Sequence, residues 1–177
     1  MRKAISIILL ILTFLIIYIL QTNIFSWFTI AGVMPNLFII FILFINLYAG
    51  VKVGIPYAII SGLYLDIILG KSIGAYTIMF GLTAIIVWLF DKRFSKDSKI
   101  TIILMVMALT AIFEIGIYGY QILRLSAYFE PIPFIINLLI EVLYNVLLTI
   151  ILYPIIQKAG YKLESVFKQN EVLTRYF

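Results

Sequence analysis

Six apolar runs, each parted from the next by a short polar or glycine-rich break, leave this chain very few architectures. They cover residues 4–20, 37–49, 55–69, 75–90, 100–123 and 132–156. Runs of this length without period-two alternation read as helices, not as strands of a β-barrel. About 20 residues are needed to cross a ~30 Å hydrocarbon layer. The second and third runs are short by that measure, so their turns sit at headgroup level or their ends are shielded by neighbours. Composition points the same way: 64% of the 177 residues are hydrophobic and 12% charged, against roughly 45–50% and about 25% in a soluble domain. No polar linker divides the halves. The expected fold is an all-α integral membrane protein, one six-helix transmembrane bundle over residues 1–156 followed by a basic tail, 157–177.

The basic residues orient this bundle. With the N-terminus in the cytoplasm, the inner side receives Arg2, Lys3, Lys52, Lys92, Arg93, Lys96, Lys99, Lys158, Lys162, Lys168 and Arg175. The outer side receives Lys71 and Arg124. That asymmetry is what the positive-inside rule requires of six spans with both termini cytoplasmic. It also accounts for the net charge of +5 without a nucleic-acid partner. The first run is preceded by Met1-Arg2-Lys3 but followed by Gln21-Thr22-Asn23, which offers no small-residue cleavage pattern, so it reads as an uncleaved first helix. Residues 21–34 carry Phe25, Trp27 and Phe28 with Gly32 and Pro35, suiting a loop at the membrane surface or a short re-entrant turn. In the tail, Leu163, Val166 and Phe167 can share a helix face against the inner leaflet; a frayed basic terminus fits equally.

Little enzymatic chemistry is available. The chain has neither cysteine nor histidine, which removes thiolates, the commonest metal ligand and the usual neutral-pH general base. Three acids fall inside the runs: Asp66, Glu114 and Glu141. A carboxylate at mid-helix costs roughly 2.5–3.5 kcal/mol on insertion scales, so each needs a partner, a proton or a wet cavity. Asp66 lies near the outer end of its run, within reach of headgroup water and of Lys71. Glu114 and Glu141 each stand about 14 Å below the outer boundary on consecutive antiparallel helices, and can meet. Thr110, Glu114, Tyr118 and Gln121 line one stripe of the fifth helix; Asn137, Glu141 and Asn145 line one of the sixth. Three readings of this polar seam stay open: packing within the bundle, a site for another protein's helix, and a proton or solute path. No nucleophile or metal pattern accompanies the two glutamates.

The stretch from Pro35 to Gly81 is distinctive. It reads Pro35-Asn36-Leu37, then Gly50 and Gly54, Gly62-Leu63-Tyr64-Leu65-Asp66, and Gly74. Gly50, Gly54, Gly70 and Gly74 suit sharp turns, while Gly62 and Gly81 suit close helix approach. This series resembles the rod shape-determining membrane protein MreD family, whose pattern is Pro-Asp-Leu, a short helix, Gly-x-x-x-Gly, Gly-Leu-x-x-Asp and a glycine opening the next helix. Asn36 stands where the family usually has Asp, keeping helix-capping ability but not the charge. The motif covers about 50 residues; the rest agrees in hydropathy.

The resemblance implies a non-catalytic scaffold of the bacterial cell-elongation complex in the cytoplasmic (inner) membrane. It implies binding to MreC and an assembly with MreB, RodA and a penicillin-binding transpeptidase that supports sidewall peptidoglycan synthesis. It implies no cofactor. It also implies a fold similar to the six-helix substrate-binding subunits of energy-coupling-factor transporters, which supplies the rival function, a solute-binding subunit of a vitamin-type transporter. Such subunits carry small residues every fourth position on the first helix, whereas residues 4–18 here are nearly all Ile and Leu. Pro35, Asn36, Leu37, Gly50, Gly54, Gly62, Asp66 and Gly74 are the candidate partner contacts, on the expectation that the glycines are exposed.

Overall fold

A computed structural model describes residues 2–69, 74–91, 98–125 and 128–168. The Gly70–Lys71 turn, the basic loop 92–97 and the tail from 169 onward lie outside the described residues. Within them are six helices: α1 (Arg2–Ile19), α2 (Leu37–Ala49), α3 (Val51–Leu69), α4 (Ala75–Asp91), α5 (Lys99–Leu125) and α6 (Pro131–Phe167). Four stretches, on α1, α3, α5 and α6, are long and apolar enough to cross a membrane, and α2 and α4 are shorter apolar helices.

The architecture follows from α2. Its sequence is apolar on every face, with Asn46 the only strongly polar side chain. Such a helix has to be covered all round. Twelve of its 13 residues are buried, and α3, α4, α5 and α6 all pack on it. α1 completes the ring through aromatic contacts: Phe14 meets Phe38 of α2 with ring centroids 5.6 Å apart, and Tyr64 of α3 at 5.0 Å. Phe44, Tyr48, Phe80 and Phe113 are fully buried in this core, with Phe80 stacked on Phe113 at 4.9 Å. The surrounding helices turn Ile and Leu outward, among them Ile8, Ile60, Ile67, Leu143 and Ile155. Apolar side chains thus face both the core and the outside, which suits lipid as solvent.

Three boundaries differ from the expectation. A π-helical turn, Leu20–Ile24, extends α1, so residues 21–24 are helical and the surface loop starts at Phe25. Trp27 there is 87% exposed. α3 begins at Val51, not at 55: Gly50 alone turns the chain, with φ +82° and its N–H on Asn46 O at 3.0 Å. Pro56 is accommodated inside α3 on its exposed side, where the carbonyl it leaves unpaired belongs to the exposed Lys52. α6 continues through Pro154 to Phe167, so residues 157–167 prolong the sixth helix rather than forming a separate tail. Gly160 allows this, since a Cβ there would run into the ring of Tyr48.

Candidate functional site

A helix of 13 residues spans about 20 Å, so both ends of α2 lie short of the ~30 Å hydrocarbon layer. Each end exposes up to four unpaired backbone groups, and in a medium without water every one needs an internal partner. At the N-terminal end, the Asn36 side chain caps the helix by accepting from Ile39 N at 3.4 Å. Gln21 Oε1 accepts from Leu37 N at 3.0 Å, while Gln21 Nε2 donates to Pro35 O. Asn145 Oδ1, from α6, accepts from Asn36 N at 2.7 Å, and its Nδ2 donates to Thr110 Oγ1 of α5 at 3.0 Å. At the other end, Lys168 reaches back from α6 and donates to Leu47 O at 2.8 Å, a cation on a helix C-terminus where the peptide dipoles favour it. Side chains from both ends of the chain thus seal its central helix.

The same logic governs Asp66. It is 1% exposed, and its carboxylate accepts from Tyr76 N and Thr77 N at 3.0 Å each and from Thr77 Oγ1 at 2.6 Å. A carboxylate from α3 therefore caps the first turn of α4, the favoured place for negative charge on a helix. The expected alternative, an interfacial acid reaching water, is corrected by this burial. Gly62 makes the contact possible: a Cβ there would lie 2.5 Å from Thr77 Cα and 2.6 Å from Tyr76 O. Gly54 plays the matching part at the other end of α3, where a Cβ would run into the amide of Asn46, itself 3% exposed. The expectation that these glycines are exposed for a partner is likewise corrected. Pro35 and Leu37 are buried as well, and Gly74, at φ +97°, opens α4 with its carbonyl on Ile78 N. The whole series from Pro35 to Gly74 braces α2, α3 and α4.

The seven seam residues all lie at the α5–α6 interface but divide into two groups. Thr110 and Asn145, both fully buried, belong to the α2 seal described above. Glu114, Tyr118, Gln121, Asn137 and Glu141 line a cavity of about 340 Å³ between α5 and α6. Glu114 and Glu141 are neighbours across its floor. Its rim is built at the α5–α6 connection, where the Tyr118 hydroxyl accepts from Glu130 N at 2.7 Å. The Tyr118 ring stacks on Phe134 with centroids 4.1 Å apart and planes 8° apart.

Sequence reasoning missed Gln21, Tyr76, Thr77 and Lys168 as parts of this machinery. Gln21 and Lys168 were visible as polar residues beside apolar runs, but their targets are backbone atoms distant in sequence. Nothing in the local sequence of Tyr76 and Thr77 singles out their amides.

Among the described residues, no group of three His, Cys, Asp or Glu could hold a metal ion. Among the described residues the geometry is that of a braced bundle with an acidic cavity between α5 and α6. No curated protein and no solved structure matches the chain. The family model for the rod shape-determining protein MreD matches residues 1–160, nearly its full length. That family is a non-catalytic, shape-determining membrane family, so the protein acts in determining rod shape and is not an enzyme. With its Pro-Asn-Leu helix cap, its tightly packed glycines and its Asp66 brace in place, this chain belongs to the MreD family.

Proposed function

We propose that the protein is a scaffold of the bacterial cell-elongation complex. It sits in the cytoplasmic membrane as a six-span protein with both termini inside and binds MreC. In this way it supports sidewall peptidoglycan synthesis by the assembly that includes MreB, RodA and a penicillin-binding transpeptidase. The observation that carries this reading is family membership across residues 1–160. A likeness in fold to the substrate-binding subunits of energy-coupling-factor transporters belongs to the same reading. The rival, transporter function is disfavoured by α1, which turns bulky Ile8, Leu12 and Ile16 outward where a docking subunit would need small residues.

With Gly54 and Gly62 buried, the partner contact in this stretch falls to the outward face of α3, carrying Ile60, Leu63 and Ile67. Co-purification of MreC with the tagged chain tests the proposal. Ile60→Trp and Ile67→Trp reshape this face without touching the core, and both are expected to reduce the MreC recovered. Full recovery with both variants would remove α3 as the contact. Failure of the unaltered, folded chain to retain MreC would remove the scaffold itself.

A further inference from the structure

The helices end at different heights on the outer side. At the head of α2, Asn36 N bonds to Asn145 of α6 at 2.7 Å, and in the loop before it Phe28 O accepts from the Tyr144 hydroxyl at 2.7 Å. The first turn of α4 lies at a similar height, where the Tyr76 ring meets Phe113 of α5 with centroids 6.0 Å apart. Past this level α5 runs on to Arg124, and α6 has already begun at Pro131, a rise of ~16–20 Å at 1.5 Å per residue. The outer part of the α5–α6 hairpin therefore stands above the ends of α2 and α4.

The two flanks of this raised part differ in chemistry. On α6, Ile132, Ile136, Leu139 and Leu143 share one face and are 52–72% exposed. The stripe continues without a break in character to Ile150, beside the packed core. A face of constant composition suits one solvent along its length, the lipid around its lower half. On the opposite side of the same helix, Asn137 and Glu141 face the cavity that Gln121 lines from α5. This cavity reaches from Tyr128 and Glu130 at the hairpin tip down to Glu141, ~16 Å along α6. Its volume of about 340 Å³ holds about ten waters at ~30 Å³ each, and roomy, polar cavities are the ones that fill. At the floor Glu114 and Glu141 hydrogen-bond each other, which takes one proton on the pair.

We propose that the outer part of the α5–α6 hairpin divides two solvents. Acyl chains of the outer leaflet cover the flank of Ile132, Ile136 and Leu139, and water from outside fills the recess on the other flank as far as Glu141. The division explains why one helix carries amides and a carboxyl on one side and bare Ile and Leu on the other at the same height. It also connects the proton of the carboxyl pair to the external medium, so that Glu114 and Glu141 are kept without a cation from the bundle. The inference rests on the six-span reading proposed above and is independent of the MreC contact.

Cysteine accessibility tests this on the full chain in phosphatidylcholine nanodiscs. Single variants Asn137→Cys, Glu141→Cys, Ile136→Cys and Leu139→Cys, each checked for folding by circular dichroism, react with a membrane-impermeant maleimide, and mass spectrometry follows the rates. Asn137→Cys and Glu141→Cys are expected to label at least tenfold faster than Ile136→Cys and Leu139→Cys. The order within α6 is the signature: Glu141 lies farther from the hairpin tip than Leu139, so a flat water boundary would give the opposite ranking. Equal, fast labelling of all four would put water on both flanks and overturn the proposal. Glu141→Cys as slow as Leu139→Cys would overturn it too, since no recess would then reach the floor. Labelling of Ile150→Cys, beside the packed core, would instead remove the six-span reading. Should Glu141→Cys fail to fold, the pair Asn137→Cys and Ile136→Cys, at one height on opposite flanks, decides alone: a tenfold difference sustains the division and equal rates overturn it.

Discussion

Replacing Asp66 probes the brace most sharply. Its carboxylate satisfies three donors at once, two amides of α4 and the Thr77 hydroxyl, at 2.6–3.0 Å, in a place 1% exposed. Asp66→Ala strands all three. Each buried donor left unpaired costs about 1–3 kcal/mol, and relaxation lets some find other acceptors, so a loss of about 4 kcal/mol is expected. Asp66→Asn keeps one acceptor oxygen but turns an NH₂ toward a donor and removes the charge from the helix N-terminus, a contribution of about 0.3–2 kcal/mol. A loss of about 2–3 kcal/mol follows. Thr77→Val deletes only the hydroxyl bond and is expected to cost about 1–2 kcal/mol. Unfolding in mixed micelles of rising SDS content, followed by circular dichroism, gives these values. In the double variant Asp66→Ala/Thr77→Val the losses should fall short of additive by at least ~0.5 kcal/mol, as expected for side chains in direct contact. An Asp66→Asn protein as stable as the unaltered chain would refute the capping argument. So would additive losses in the cycle.

Three further outcomes follow from the same geometry. Gly54→Ala should destabilise the bundle, and the added Asn46→Ala should restore much of the loss by making room for the new methyl; an unrescued double variant would place the strain elsewhere. Lys168→Met removes the donor to Leu47 O, at a cost of about 1–2 kcal/mol, and amide exchange should quicken at the C-terminal turn of α2 before it does at the N-terminal turn. The chain contains no cysteine, so single replacements report topology cleanly. With an impermeant maleimide on intact cells, Tyr128→Cys should label and Lys52→Cys should not; labelling of both or the reverse pattern would defeat the orientation with cytoplasmic termini.

Much of this was readable from residues alone, for identifiable reasons. The apolar runs announce the helices because lipid demands continuous apolar segments. The four-residue spacing of Glu141 and Asn145, or of Thr110, Glu114 and Tyr118, places them on one seam because the helical repeat is fixed. What could not be read is which backbone atoms the polar side chains serve. Asp66 was paired in expectation with Lys71, its nearest cation, whereas its described partners are amides 10 and 11 residues onward. The glycines looked exposed because sequence shows only that a side chain is missing, not what occupies its place. Asn46 and Thr77 occupy those places. The run of α6 past residue 156 was hidden by a change from apolar to amphipathic composition, where helix and tail look alike. Asn36 in place of the usual Asp is understandable after the fact, since capping Ile39 N requires an oxygen and not a charge.

The central claim is that the family motif braces the bundle from within while a partner reads its outer surface. Photo-crosslinking in living cells tests it most directly, with benzoylphenylalanine placed at Ile60 or Ile67 on the outward face of α3 and at Leu147 or Ile151 on that of α6. The account expects crosslinks to MreC from the two α3 positions and none from the α6 pair. Crosslinks from α6 alone, or from neither helix in a folded and functional chain, would contradict it.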